Sequence, residues 1–399
     1  MNAGRMLPFA LPRMPGVGGR IKTRPEDFRV EEIPAYLPCG SGEHLFIEVE
    51  KCNLSTPRLI SHVAHVLGLP AGRIGYAGLK DAQAITRQWI SIHHAADLPL
   101  EGLESDHVRI LRRGRHGNKL RLGHLLGNRF SVVVRGISPV GGKETSPAGE
   151  MDAMLTALAA GGFPNYFGPQ RFGPDGDNAQ RGKELLRRGF AAKMPIARIR
   201  YLTNAYQSAL FNEIVGIRLL ESEDYTSLQV GDLAVLHANG ASFQVTAENL
   251  ADSARRCGHG EISPSAPLFG YRTTLAQGRP GTWEESMLER EGITLSQFKA
   301  GGKRLSPKGE RRPVRALPHE LVWESFTESG VACLRLSFVL DSGVYATSLL
   351  REIMKAESAP NAVEWRTSLL SADPLPGTPL PTAPAPAAPS PAAPLPAEE

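Results

Sequence analysis

Asp81 closes the run Gly75-Tyr-Ala-Gly-Leu-Lys-Asp81, and Thr86-Arg-Gln-Trp-Ile-Ser91 follows shortly after it. Two glycines allow a close backbone approach, and the Lys-Asp pair ends an extended segment, so the carboxylate falls in a loop between two strands. There Asp81 could be a nucleophile or a base; on this peptide alone it could equally be a turn residue that satisfies local amides. Other motifs fail. Gly16-Val-Gly-Gly19 has no strand before it and no helix after it, while Gly141-Gly142-Lys143 has Ile137 where a phosphate loop needs its first glycine and Glu144 where it needs a hydroxyl. Cys39, Cys52, Cys257 and Cys333 show no CxxC spacing and no accompanying His cluster, which argues against a structural zinc or a disulfide framework.

The loop needs strands on both sides, and the pattern supplies them. Phe28-Arg-Val-Glu31 and His44 to Glu50 alternate as half-buried strands do; Ile85 to Ile92 and Lys119 to Leu122 are extended; Arg129-Phe-Ser-Val-Val-Val-Arg135 puts Phe130, Val132 and Val134 on one face. A helix is expected from Thr56, a possible cap, to Gly68, with Leu59, Ile60, Val63, Val66 and Leu67 at helical spacing. From about Gly161 the texture changes to an aromatic, Gly/Pro-rich segment. Basic helical material follows, then an apolar helix face over Asn204 to Leu220, short strands around Gly231 to Val245 and a polar stretch to about Pro318. Strand alternation returns at Val331 to Phe338, and a helix from Tyr345 to Lys355 closes the folded part, which suggests a core interrupted by an insertion.

Charge adds a partner class. From His107 to Lys143 there is no acid, while Arg109, Arg112, Arg113, Arg115, Lys119, Arg121, Arg129, Arg135 and Lys143 are all basic, a run that attracts phosphates. It could also be a solvated face of alternating strands. The 399 residues include 32 prolines, but ten of these fall in Pro374 to Glu399, leaving an ordinary level before them. That Pro/Ala-rich end is expected to be a semi-extended, disordered tail. With no signal-peptide core and no 18-residue apolar run, the chain is expected to be soluble and cytoplasmic, off the membrane.

Six blocks in order resemble the TruD family of tRNA pseudouridine synthases across about Ile21 to Lys355. They are Arg24-Pro-Glu-Asp-Phe-Arg-Val-Glu31; Gly75 to Asp81 with Thr86-Arg-Gln-Trp89; Lys119-Leu-Arg-Leu-Gly123 before Gly127-Asn-Arg-Phe130; Pro164-Asn-Tyr-Phe-Gly168 with Gln170-Arg-Phe-Gly173; Ser208-Ala-Leu-Phe-Asn212; and Gly343-Val-Tyr-Ala-Thr347 with Leu350-Arg-Glu352. The resemblance implies an α+β catalytic domain with a central antiparallel sheet, in residues 1–160 and 318–357. A family-specific insertion domain would occupy 161–317, and the tail 358–399. It implies an isomerase acting without metal or cofactor on tRNA, at uridine-13, with no protein partner.

By the same resemblance Asp81 is the catalytic residue, Phe130 stacks on the target base and Asn128 is a nearby polar contact. Lys22 is the candidate cation beside the acid, with Lys80 its competitor by adjacency, although neighbours on a strand face opposite ways. Lys80, Arg87, Arg113, Lys119 and Arg121 are expected on the RNA. One departure stands out: the family commonly has a further basic residue or two after Lys-Asp, where this chain has Ala82 and Gln83. The alternative is a non-catalytic RNA-binding protein or RNA chaperone using the same basic cleft.

Overall fold

The computed structural model describes residues 7–93, 100–138, 148–190, 194–299 and 305–355. Lys143 and the Pro/Ala-rich tail lie outside the described residues. First in the chain come β1 (Gly18–Arg20), β2 (Phe28–Pro34), β3 (His44–Cys52), α1 (Thr56–Val66), β4 (Ile74–Tyr76), β5 (Ile85–His93), β6 (Val108–His116), β7 (Leu125–Ile137) and α2 (Ala148–Gly161). A second block holds β8 (Phe163–Pro164), α3 (Asn178–Arg187), α4 (Ile196–Glu221), β9 (Leu233–Leu236), β10 (Ser242–Gln244), α5 (Leu250–Gly258), β11 (Ile262–Leu268), α6 (Gly278–Glu291), β12 (Glu310–Pro313) and β13 (Arg315–Ala316). The chain then returns through β14 (His319–Glu328), β15 (Val331–Asp341) and α7 (Ala346–Met354).

The α+β class holds. The main sheet runs β14-β15-β7-β2-β5-β3-β6, with β1 added on β7 and β4 on β5. Its pairs are antiparallel except β2 with β5, which is parallel, so the expected antiparallel sheet is corrected to a mixed one. A parallel pair needs a long crossover, and here β3, α1 and β4 supply it between the two strands. Alternation along a strand is the same for either direction, so it could not show this. The second block has its own antiparallel sheet, β10-β9-β11-β12, packed against α4. Its entry and exit are tied together by the β8–β13 ladder, with Phe163 opposite Ala316.

One face of the main sheet positions the site. Phe28, Val30, Phe130, Val132, Leu336 and Phe338 are buried there under α2 and α7. Further along the same face, Ile47, Val49, Ile90 and Ile92 are buried under Leu59, Ile60 and Val63 of α1. Each such side chain contributes about 1.5–3 kcal/mol by leaving water. Between the two apolar patches the register sets polar residues on the same face. Glu32 lies opposite Asn128, Val30 opposite Thr86, and Thr86 opposite Lys51, with Gln88 two residues along. Glu32, Thr86, Gln88 and Lys51 are all buried. A polar strip thus divides the core.

Two local expectations change. Ser55, not Thr56, caps α1, its side chain accepting from Arg58 N. Residues 119–122 run irregularly into a turn rather than forming a strand: Leu120 N donates to Ser91 Oγ at 3.0 Å, and a Cβ on Gly75 would lie 2.3 Å from the Leu120 carbonyl oxygen. Only glycine fits there, which is how β4 and the turn approach each other. Among the described residues no helix is long and apolar enough to cross a membrane.

Candidate active site

Asp81 sits in the loop joining β4 to β5, over the polar strip. Thr56, freed from capping, accepts from Lys80 N at 2.9 Å and donates to Gln88 Oε1 at 2.8 Å, so the start of α1 fixes the loop backbone just before the acid. Lys22 Nζ lies 2.9 Å from Asp81 Oδ2 and 4.5 Å above the centre of the Phe28 ring. The Lys22 backbone is left-handed, φ 57°, a conformation that costs a lysine energy and turns the side chain under the loop. The Lys22 side chain is 3% exposed and that of Asp81 55% exposed. A carboxylate open to solvent thus has a buried cation behind it, an arrangement that leaves one oxygen available to attack or to take a proton.

Lys80 points the other way. Its ammonium is 2.8 Å from Glu32 Oε2, and both side chains are buried, at 3% and 0% exposure. It also donates to Asn128 Oδ1 at 2.7 Å, and Glu32 Oε1 accepts from Trp89 N at 3.2 Å. The two lysines therefore serve different acids: Lys22 pairs with Asp81, and Lys80 pairs with Glu32. Lys80 lies buried in the strip. With its oxygen taken by Lys80, Asn128 keeps its amide N–H groups for another acceptor.

Lys51 joins them, though nothing in the sequence singles it out. It donates to the Asp81 carbonyl at 2.9 Å and to the Leu54 carbonyl. Burial pushes its pKa down to about 7; Lys80 adds to this push and Asp81 opposes it. Because the folded value lies below the unfolded one, the unfolded chain binds more protons between roughly pH 7 and 10, and stability rises with pH across that window. Relative to Lys51→Met, the wild type is expected to gain about 2 kcal/mol between pH 7 and 9. Urea midpoints of the two proteins at both pH values check this; parallel pH profiles would show that Lys51 does not titrate there.

The other expected residues are not gathered at Asp81. Phe130 is buried in the core, with Phe338 stacked at 5.2 Å and Phe28 edge-on at 6.2 Å. Arg87 neighbours Thr86 and so points to the opposite face of the sheet, where it pairs with Glu50 at 2.8 Å. Arg113 is exposed on β6 opposite Ile47, Arg121 is exposed in the turn before β7, and Lys119 donates to the Gly72 carbonyl. Sequence reasoning misses Glu32, Thr56 and Gln88 along with Lys51. Among the described residues no group of three His, Cys, Asp or Glu is placed to hold a metal ion.

A family model described as tRNA pseudouridine synthase D (TruD) matches this chain over residues 9–197 and 191–353. A tRNA pseudouridine synthase D of Thermus thermophilus is 42% identical over 372 residues, covering 92% of this chain and 96% of that protein. One from Syntrophotalea carbinolica is 35% identical over 413 residues, covering 88% and 100%. The crystal structure of a putative tRNA pseudouridine synthase D from Methanosarcina mazei superposes with a TM-score of 0.68 at 26% identity, over 88% of this chain and 97% of that one. With the sequence match running from the N-terminal strands through α7, the chain belongs to the TruD family of tRNA pseudouridine synthases.

Proposed function

We propose that this protein converts uridine-13 of tRNA to pseudouridine, with Asp81 as the catalytic carboxylate. The reaction is an isomerisation: the uracil N1–C1′ bond breaks, the base turns, a C5–C1′ bond forms, C5 loses its proton and N1 gains one. No atom enters or leaves, so the protein must supply an anionic oxygen at C1′ or C6 and hold the detached base in place. The observation that carries this reading is the half-exposed Asp81 carboxylate 2.9 Å from the buried Lys22 ammonium, over the polar strip between two apolar patches. The Asn128 amide N–H groups would meet a uracil carbonyl, and the Phe130 ring would stack on the base.

In this reading residues 1–160 and 318–357 form the catalytic domain and 161–317 the insertion. The tRNA lies between them, in the cytoplasm. The exposed Arg113 and Arg121 remain the phosphate-contact candidates among the residues first assigned to RNA. The test is to map pseudouridine in tRNA from cells with and without the protein. Loss confined to position 13 is expected; an unchanged position 13 with loss at another site would sink the choice of nucleotide and keep the chemistry.

A further inference from the structure

Where β15 ends and α7 begins, two guanidinium groups collect without an ion-pair partner among the described residues. The Arg171 and Arg312 guanidinium carbons lie 5.1 and 4.4 Å from the centre of one ring, that of Phe167. Neither side chain forms an ion pair among the described residues, and the Nε of each is buried without a hydrogen-bond partner. Arg312 does donate to Asn165 Oδ1 and, at 2.9 Å, to the Gly343 carbonyl, which orients it. Burial disfavours its charge and Arg171 adds to that cost, while Glu310, exposed two residues earlier on β12, acts on both from a distance. Two like charges kept together with no carboxylate in direct contact make a poor structural element.

Two neighbouring polar groups are unpaired as well, of which the hydroxyl can donate and the amide oxygen only accepts. The Gln170 amide oxygen and the Thr347 hydroxyl are buried without partners, and both close on Gly168, where a Cβ would stand 2.5 and 2.6 Å from them. Thr347 is 8% exposed and occupies the first turn of α7, a helix whose cap residue, Tyr345, makes no side-chain cap and whose first turn has no acid. Its amide N–H groups and dipole add positive character to the guanidinium pair. Gly343 lies two residues past Asp341, which pairs with Gly127, the neighbour of Asn128. The cluster therefore continues the strand ends that carry the proposed uracil contact.

We propose that Arg171, Arg312 and Thr347, with the first turn of α7, form a phosphate subsite that takes a backbone phosphodiester of the RNA strand next to the reacting uridine. Arginine forks and helix N-termini both suit the tetrahedral oxygens of a phosphate. The proposal rests on RNA being the substrate. It is tested with full-length wild type, Arg171→Gln and Thr347→Val, by measuring tRNA affinity across a salt series and thermal midpoints without RNA.

Arg171→Gln is expected to weaken tRNA binding about tenfold and to flatten the slope of log affinity against log salt by about one. Thr347→Val is expected to weaken binding several-fold with the free protein's midpoint unchanged or raised, since it removes a hydroxyl that nothing satisfies. Wild-type affinity and slope in Arg171→Gln would overturn the proposal, as would a lowered midpoint with unchanged binding in Thr347→Val. A midpoint raised by millimolar inorganic phosphate in wild type but not in Arg171→Gln, with the tRNA slope unaltered, would assign the site to free phosphate and also overturn it. If wild type bound tRNA but made no pseudouridine, the functional reading would fail and the salt slopes would still decide the subsite.

Discussion

Asp81→Ala is expected to abolish pseudouridine formation, by at least about 10⁴-fold in single-turnover rate, while tRNA affinity stays within about threefold of wild type. The two effects separate because Asp81 contributes no positive charge to binding and its carboxylate repels phosphate. The substitution also strands Lys22, whose side chain is 3% exposed, so about 1–3 kcal/mol of stability goes with it. Asp81→Asn controls for that. Its amide oxygen keeps an acceptor for the Lys22 ammonium, restoring most of the stability, but it cannot attack or take a proton, so the rate remains lost. Rates on synthetic tRNA, read by pseudouridine mapping, and binding by filter retention decide the matter. Pseudouridine formed by either variant removes Asp81 from the mechanism. Loss of binding together with product would instead make the loop an RNA contact, as in a binding protein without catalysis.

The Asp81 loop is legible in the sequence because its peptide is unusual locally, with glycines at 75 and 78, then Lys-Asp, between two extended runs, whereas the role proposed for the acid comes from the family resemblance. Lys22 is reached only through the family resemblance, as a lysine just before the Asp27-Phe28 block, since its positive φ and its 59-residue separation from Asp81 leave no local trace. The rest of the site depends on register. Lys51 reads as a polar residue near the end of a strand, and only its pairing opposite Thr86 turns it inward. Glu32 likewise alternates out of view until β2 pairs with β5 in parallel and brings Trp89 N to its carboxylate. Adjacency makes Lys80 a competitor of Lys22, but a lysine paired with an exposed acid and a lysine in a buried pair look alike until the partner is known. Within 161–317 the missed helices have a different cause. α6 opens on Gly278-Arg-Pro-Gly281 and exposes most of its polar residues, so its composition resembles a loop.

The pair formed by Lys80 and Glu32 yields the largest expected stability change. Glu32→Gln leaves a buried ammonium uncompensated, and Lys80→Met leaves a buried carboxylate; each is expected to cost about 3–5 kcal/mol. The double variant removes both charges, while the glutamine introduced on β2 still offers Trp89 N an acceptor in place of the Glu32 carboxylate. It should regain stability to within about 1–2 kcal/mol of wild type, because the desolvation cost of both ions disappears with their attraction. Activity should not follow. Lys80 Nζ holds Asn128 Oδ1 at 2.7 Å, and the thioether of Lys80→Met gives that amide nothing to anchor it, so the rate of the double variant is expected to stay about 10–100-fold below wild type. Urea midpoints and single-turnover rates of the four proteins form a double-mutant cycle in both quantities. A double variant as active as wild type would show that the pair only stabilises the fold. Recovered stability with a persistent rate defect would show that it holds Asn128 for the base, linking the acid loop, β2 and β7 through one buried ammonium.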